Sequence, residues 1–321
     1  MTLLISIQNS KYTILLCDRR ITASGSVVDD YYNKLTVLCC NDARVAIAFT
    51  GLARFNGFDT DEWIMSYLNR AGDTDDAFDS LMEGLRREIE IEFVKNKLTS
   101  NSLTFLICGF KYDKSTEPVC LNISNLDESG KPSSRFVINR RTLDEDGVIV
   151  QIEGWTPAVE PGTRASIKKI AKSESRDQHA LRKAVLSLQK ASKHKDAMKT
   201  IGMNCNSAVI DARVDTTIVT TYHVGKADRT VYGPNSVVTK GMYSYGPMLR
   251  GEDLLTGPEI KKRDPCWCGS GLLFKSCHMR KFGSSYIKLP GFNRPLTYVS
   301  RISFDDPRPS GKSFCVAGGF A

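Results

Sequence analysis

The stretch "TLLISIQNSKYTILLCDRRITASGSVVDDYYNKLTVL" spans residues 2–38 and contains the features that decide the fold. Its pattern predicts two apolar strands, at residues 2–8 and 12–18, joined by "NSK", a turn of hairpin length. A third strand-like run, "KLTVLCC", follows at residues 34–40. Two antiparallel strands of similar length bring their far ends together. We therefore expect Asp18, at the end of the second strand, to lie near Thr2.

Strand-like and helical stretches alternate in blocks along the rest of the chain. Strands are predicted at residues 44–51, 102–110, 118–124, 134–140, 147–154, 206–212 and 216–225. Helices are predicted at 59–72 and 73–98, where apolar residues recur three and four apart, and at roughly 163–173 and 177–193. Strand blocks separated by pairs of helices predict an α+β fold of two stacked sheets with helices on each outer side.

Composition indicates a folded chain with a small appended region. The 321 residues are 41% hydrophobic and 25% charged, which is ordinary for a globular protein. Beyond residue 231, Gly, Pro, Ser and basic residues dominate and the strand-like fragments become short. We therefore predict one large domain over residues 2–231 and a C-terminal extension over 232–321.

The net positive charge lies in the C-terminal extension. From residue 261 to the end the chain has 11 Lys and Arg against 3 Asp, which accounts for the whole net charge of +8. Such a field favours an anionic partner, namely nucleic acid, the ribosome or an acidic protein. A basic face that only contacts solvent is an equally good interpretation.

The lack of a recognisable targeting pattern and the cysteine usage both favour the cytoplasm. No apolar run approaches the roughly 20 residues that span a bilayer, and no signal-peptide pattern opens the chain, so we expect no membrane association. Cytoplasmic thiols stay reduced, and isolated cysteines in apolar strands behave as small hydrophobic residues. We expect this of Cys17, Cys39, Cys40, Cys108, Cys120 and Cys205.

A separate cysteine cluster, "DPCWCGSGLLFKSCH" at residues 264–278, has the donors of a metal site. Cys266, Cys268, Cys277 and His278 supply the four ligands of a closed, structural zinc site. The stretch resembles the SEC-C motif, which has the same ligand spacing, although Leu272 and Leu273 replace its usual basic residues. This resemblance implies bound Zn²⁺ and a docking element, but no chemistry.

Thr2 has the position of a terminal nucleophile. Methionine aminopeptidase generally removes Met1 before a small residue, and this would leave Thr2 with a free α-amine beside its hydroxyl. That amine, with a pKa of about 8, can act as the base that activates the hydroxyl. A lysine ammonium would lower the amine pKa and favour the alkoxide, and an aspartate would hold the lysine charged. Asp18 and Lys34 are the candidates.

Residues 2–51 resemble the start of a proteasome β-type subunit of the N-terminal nucleophile (Ntn) hydrolase superfamily. The shared features are the leading Thr, the strand ending in "DRR", the Lys that opens a later strand, and the equal spacings of sixteen from Thr2 to Asp18 and from Asp18 to Lys34. The block order extends the resemblance to roughly residues 2–230. It implies an αββα four-layer sandwich and hydrolysis of amide or peptide bonds through an acyl-enzyme.

The resemblance also implies roles for individual residues. Thr2 corresponds to the nucleophile, Asp18 and Lys34 to the charged pair, and Gly51 to the glycine whose N–H forms the oxyanion hole. Asp196 and Thr200 fall near the places of two supporting residues, an Asp and a Ser. Assembly into rings, and hence a homo-oligomer, is implied as well.

Some features depart from the family, and other functions stay open. Only Met1 precedes Thr2, residue 3 is Leu where Thr is common, and the segment from Lys34 to Gly51 is longer than usual. The alternative to a peptidase is an inactive scaffold whose basic, zinc-bearing tail binds a protein, the ribosome or nucleic acid. An amidase of small metabolites would use the same residues. A cysteine–histidine nucleophile is a further, weaker possibility.

Overall fold

The structure is a computed structural model. It describes residues 2–213, apart from short gaps at 24, 31, 41, 73–76, 173–176, 196 and 198, and residues 218–223. Beyond these it describes the short segments 230–231, 236–239, 242–244, 263, 273–276, 303–304 and 314–317.

Strands and helices alternate in the predicted block order. The strands are Leu3–Gln8 (β1), Tyr12–Asp18 (β2), Ile21–Ala23 (β3), Ser26–Asp29 (β4), Leu35–Cys39 (β5), Ala43–Gly51 (β6), Arg54–Phe55 (β7), Phe58–Asp59 (β8), Leu103–Tyr112 (β9), Thr116–Leu126 (β10), Pro132–Arg141 (β11), Ile149–Gly154 (β12), Cys205–Asp211 (β13), Ile218–His223 (β14), Thr230–Val231 (β15), Ser236–Thr239 (β16), Met242–Ser244 (β17), Ser303–Phe304 (β18) and Phe314–Ala317 (β19). The α-helices are Thr60–Gly72 (α1), Phe78–Lys95 (α2), Thr163–Ala171 (α3) and Asp177–Ala191 (α4).

The first sheet carries the amino terminus of the fold in its second strand from one edge. Its strand order is β12-β1-β2-β13-β14-β19-β18, with β15 also paired to β14. Strand β1 is antiparallel to both of its neighbours, and Leu4 lies opposite Cys17 of β2 and Glu153 of β12. The residue before β1 is therefore held between the ends of two other strands.

The second sheet contains the strand that follows Lys34. Its order is β11-β10-β9-β6-β5-β16-β17, and all pairings are antiparallel except the parallel pair of β5 and β16. Short strands from beyond residue 231 thus extend both sheets, through β16 here and β19 in the first sheet. The predicted division between residues 231 and 232 stays a prediction.

Three apolar cores separate four layers. The core between α1, α2 and the second sheet includes Phe78, Leu85, Ile89, Ile47 and Phe105. The core between the two sheets includes Leu4, Leu15, Val37, Ala46 and Leu106. The core between the first sheet and α3, α4 includes Leu3, Ile5, Leu16, Ile167 and Leu188. These cores confirm the predicted αββα four-layer sandwich.

Burial on both faces explains the apolar sequence of β1. Leu3 and Ile5 pack toward the helices, whereas Leu4 between them packs toward the second sheet. A strand covered on both faces has no solvent side, so apolar residues run consecutively instead of alternating with polar ones. Every residue of β1 and β2 is buried.

Two small hairpins were missed by the sequence patterns. β3 pairs with β4, and β7 pairs with β8, in segments where the sequence patterns predict no strand. Both hairpins are short and largely exposed, so their sequences lack the apolar runs that mark buried strands. Gly25, with φ of +77°, forms the β3–β4 turn and takes a conformation that favours glycine.

The six scattered cysteines are free, as predicted, and all but Cys40 are buried. In the described part of the chain, no helix combines the length and the apolar character needed to cross a bilayer.

Candidate active site

Thr2 lies at the edge of the first sheet's core, with only 3% of its surface exposed. Its carbonyl accepts a hydrogen bond from the Trp155 backbone N–H at 3.0 Å, immediately after β12. The next residue, Leu3, donates its N–H to Asp18 Oδ1 at 2.8 Å. The backbone on both sides of the Thr2 side chain is thus fixed by the strands that flank β1.

The Asp18 carboxylate is fully buried at the end of β2 and is surrounded by donors. Besides the Leu3 N–H, it accepts the N–H of Arg20 at 2.9 Å and that of Gly202 at 3.2 Å. Backbone donors and a nearby ammonium favour the ionised form of a buried carboxyl group. The structure therefore places a fixed anion behind Thr2.

Lys34 crosses from the second sheet to Thr2. Its Nζ donates to Thr2 Oγ1 at 2.7 Å and to the Arg20 carbonyl at 2.5 Å, and it lies 3.5 Å from Asp18 Oδ2. An ammonium has three donors, so these three acceptors satisfy all of them. The predicted trio of Thr2, Asp18 and Lys34 is brought together in one buried cluster.

Burial sets the electrostatics of the cluster. Lys34 is only 2% exposed, and the loss of hydration lowers the pKa of its ammonium, while the Asp18 carboxylate opposes that shift. A positive charge held against a hydroxyl oxygen stabilises the alkoxide more strongly in such an environment than in water. The Thr2 hydroxyl therefore has the surroundings of a nucleophile.

Gly51 ends β6, next to the strand that Lys34 opens. Its φ of +102° favours glycine, and a Cβ atom there would lie 2.1 Å from the carbonyl oxygen of Ser102. The Phe49 N–H donates to the Lys34 carbonyl at 3.3 Å, which ties this end of β6 to the cluster. The conformation of Gly51 is that of a special backbone position, and its role as an oxyanion donor stays a prediction.

Gly154 is a site residue that the sequence reasoning missed. It has φ of +91°, and a Cβ atom there would lie 1.8 Å from the Thr2 carbonyl oxygen and 3.2 Å from Thr50 Oγ1. Only a residue without a side chain lets β12 and β6 approach Thr2 so closely. The signal was a glycine at the end of a predicted strand, which often marks a close backbone approach.

The two supporting residues suggested by the family resemblance have different outcomes. Asp196 lies outside the described residues. Thr200 is described, and its hydroxyl donates to the Ala197 carbonyl at 3.1 Å, within its own turn. Contacts of the Asp18 carboxylate instead include the neighbouring Gly202.

The cysteine–histidine alternative finds little support. Cys205 on β13 lies opposite His223 on β14, but burial raises the pKa of its thiol well above the usual value, so the thiol stays protonated. The His223 ring bonds to Ser207 Oγ at 2.9 Å, and burial lowers the imidazole pKa to about 4. His179 and His194 are exposed.

The predicted zinc ligands Cys266, Cys268, Cys277 and His278 all lie outside the described residues. Just before Cys277, Phe274–Ser276 form one short 3-10 turn, in which the Ser276 N–H donates to the Leu273 carbonyl at 2.9 Å. Three thiolates and one imidazole are a donor set that suits tetrahedral Zn²⁺. The chemistry of the residues thus fits the metal.

Comparison with known proteins gave one motif and several fold similarities. The SEC-C motif family matches residues 263–280. A search of the curated proteins found no match. Among solved structures, the chain is similar to Anbu (ancestral beta-subunit) from Yersinia bercovieri, at 13% identity over 64% of this chain and 80% of that one, with a TM-score of 0.45.

Two further solved structures are similar to the chain. HslV from Trypanosoma brucei is 20% identical over 65% of this chain and 99% of that one, with a TM-score of 0.39. The helical assembly of the Anbu complex from Pseudomonas aeruginosa is 13% identical over 65% and 84%, with a TM-score of 0.44. Likeness at these identities concerns the fold and not the activity.

Proposed function

We propose that the protein is an N-terminal threonine hydrolase, which cleaves an amide or peptide bond through an acyl-enzyme on Thr2. The observation that carries this proposal is the bond of 2.7 Å from Lys34 Nζ to Thr2 Oγ1, with Asp18 behind the lysine. A buried ammonium directed at a threonine hydroxyl has a clear chemical use only if that hydroxyl reacts.

The first half-reaction would form the acyl-enzyme. After removal of Met1, the Thr2 α-amine takes the proton of Oγ1 while Oγ1 attacks the carbonyl carbon of the substrate. The tetrahedral intermediate carries its negative charge on the former carbonyl oxygen, where the Gly51 N–H would donate to it. The protonated amine then gives its proton to the leaving amine, and the C–N bond breaks.

The second half-reaction would return the free enzyme. The neutral α-amine takes a proton from water, and the hydroxide so formed attacks the ester carbon of the acyl-enzyme. The carboxylic acid leaves, and Thr2 Oγ1 regains a proton from the amine. Lys34 keeps its three bonds throughout, and it stabilises the negative charge that Oγ1 carries as attacking and leaving group.

Intact-mass measurement of the purified protein tests the proposal at its first step. We expect loss of Met1, followed by a stable single adduct when a peptide epoxyketone, which reacts with both the amine and the hydroxyl of a terminal threonine, is added. Thr2→Ala should form no adduct, whereas Thr2→Ser should still react. A mature chain that retains Met1 has no terminal amine at Thr2 and would overturn the proposal.

The second candidate is an inactive scaffold with a docking tail. The SEC-C match and the positive charge beyond residue 260 favour it, since both indicate a partner rather than a reaction. Loss of Met1 without any labelling at Thr2 would support this candidate. An amidase of small metabolites would label like a peptidase, and a substrate screen separates the two.

The tail contributes to either candidate in the same way. We propose that Cys266, Cys268, Cys277 and His278 hold one structural Zn²⁺, which would fix the fold of the tail and take no part in hydrolysis. Four protein ligands would leave no open coordination position for a substrate. The basic residues of the tail would then present a positive surface to a protein, the ribosome or nucleic acid. We also propose a cytoplasmic location and a homo-oligomer, the latter measurable by light scattering.

A further inference from the structure

A chain of four buried polar side chains runs beside the candidate active site. Arg19 Nη1 donates to Asn206 Oδ1 at 3.1 Å, Asn206 Nδ2 donates to Asn33 Oδ1 at 3.0 Å, and Asn33 Nδ2 donates to Asp61 Oδ1 at 3.0 Å. Their exposures are 4% for Arg19, 1% for Asn206, 8% for Asn33 and 3% for Asp61. Polar groups buried to this extent are costly to leave without partners, so the chain is a built feature of the core.

Two of the four side chains belong to residues next to the candidate site in the sequence. Arg19 comes directly after Asp18, and Asn33 comes directly before Lys34. Asn206 lies on β13, the other neighbour of β2, and Asp61 lies in the first turn of α1. The four side chains therefore connect the strand end that carries Asp18, the strand start that carries Lys34, and the helix that covers the second sheet.

The charged groups at the two ends set the donor-to-acceptor direction of the three hydrogen bonds between them. A guanidinium can only donate hydrogen bonds, and an ionised carboxylate can only accept them. Each asparagine between them must therefore turn its oxygen toward Arg19 and its amide nitrogen toward Asp61, as the three bonds show. The two charged ends therefore hold both amides in a single orientation.

The same two charges act on the site electrostatically. The Arg19 guanidinium lowers the pKa of Lys34, in addition to the larger effect of burial. The pKa of Asp61 is raised to about 7, mainly by burial and in part by the nearby Asp59 and Glu62, while the Asn33 bond and Arg19 oppose the shift. When ionised, Asp61 provides a negative charge at the opposite end of the four side chains from the buried positive charge of Arg19.

We propose that Asp61 is a positioning residue of the Thr2 site: it fixes Lys34 and Asp18 through Asn33, Asn206 and Arg19, and its carboxylate offsets the Arg19 charge. The inference rests on the proposed function, because it concerns the ionisation of a free Thr2 amine. If the four side chains held the strands in place through packing alone, they would leave the ionisation of the Thr2 amine unchanged.

The test measures the Thr2 amine directly by NMR and needs no substrate. In protein labelled with ¹³C-threonine, the Thr2 resonances move as the α-amine titrates, and their absence from Thr2→Ser assigns them. Asp61→Asn leaves Arg19 without its countercharge, so the amine midpoint should move to lower pH by on the order of half a pH unit, the usual size for one charge acting through protein.

Replacing Arg19 should shift the amine midpoint in the opposite direction, and combining both replacements should restore it. Arg19→Gln removes a positive charge, so the midpoint should move to higher pH, and this result is informative even if Asp61→Asn does not fold. The double variant removes both charges and should titrate close to wild type. A midpoint that Asp61→Asn and Arg19→Gln both leave unchanged, or move in the same direction, would overturn the inference.

Asp59 provides the matched control. It lies at the same end of α1, where its carboxylate accepts the Asp61 and Glu62 N–H groups and pairs with Arg54, outside the four-residue chain. Asp59→Asn should leave the amine midpoint close to wild type, and a shift equal to that of Asp61→Asn would overturn the inference. A wild-type chain with no amine titration at Thr2 would overturn the proposed function and this inference with it.

Discussion

Lys34 Nζ lies 2.7 Å from Thr2 Oγ1, although the two residues are 32 positions apart and directly precede strands of different sheets. The contact exists only when the two sheets are stacked, because Thr2 leads into β1 of the first sheet and Lys34 into β5 of the second. A lysine buried in this way loses hydration, and its three acceptors recover part of that loss. The contact between Lys34 and Thr2 therefore depends on the complete sandwich.

Replacing the lysine should slow the reaction of Thr2 without unfolding the chain. Lys34→Met keeps the length of the buried stem and removes the ammonium, so the rate at which Thr2 reacts with a peptide epoxyketone should fall by about 10²–10³-fold, as for the loss of one oxyanion donor. Lys199→Met, at an exposed position, is the control and should react like wild type. An unimpaired Lys34→Met chain would show that the ammonium does not activate Thr2.

A methyl group at Gly154 should displace the nucleophile. In Gly154→Ala the new Cβ would meet the Thr2 carbonyl oxygen at 1.8 Å, so the strands must move apart and labelling of Thr2 should fall at least tenfold. Gly147→Ala is a matched control, since Gly147 also has positive φ, +70°, but nothing within 4 Å of the added Cβ.

Gly147→Ala should lose about 1–2 kcal/mol of stability because a left-handed backbone disfavours any side chain, and Gly154→Ala should lose more because its Cβ also meets the Thr2 backbone. Only Gly154→Ala should also lose reactivity. Equal labelling of the two variants, measured by intact mass at matched times, would contradict the close approach of β12 to Thr2.

The trio of Thr2, Asp18 and Lys34 could be predicted because its signals are local. Each residue ends or begins an apolar strand, and the hairpin turn at residues 9–11 fixes which strand ends meet. The two-sided burial of the strands and the pairing of the helices were equally readable. The spacing of apolar residues therefore predicted the four layers and the approximate position of the site.

The remaining contacts join residues that are far apart in the sequence, and one sequence does not show which distant residues meet. The approach of Gly154 to Thr2 and the bond from Gly202 to Asp18 are 152 and 184 positions from their partners, and no periodic pattern marks either glycine. Asp61 looked like an ordinary acidic residue in the first turn of a helix. Its burial follows from the packing of α1 against the site, which the sequence does not reveal.

Metal analysis tests the tail independently of the active site. Purified protein should contain about one zinc per chain, and Cys266→Ser with Cys268→Ser should lose it, because two of four ligands are removed. Cys39→Ser with Cys40→Ser is the control, a pair of adjacent cysteines in the large domain that should leave the zinc content unchanged. Normal zinc content in the Cys266/Cys268 variant would place the metal elsewhere.

His223 should make the stability of the fold depend on pH. Burial lowers the pKa of its imidazole from 6.5 to about 4, so the folded chain binds the proton less readily than the unfolded chain does. A depressed pKa contributes stability that is fully present above pH 6.5 and is lost as the pH falls toward 4. The loss should amount to about 3 kcal/mol at most.

Urea unfolding at pH 7 and at pH 4 measures this contribution. In His223→Gln, which can still bond to Ser207, the free energy of unfolding should fall less between the two pH values than it does in wild type. His179→Gln, at an exposed position on α4, should follow wild type at both pH values. Parallel pH profiles for wild type and His223→Gln would show that the ring is accessible to protons in the folded state, contrary to its burial.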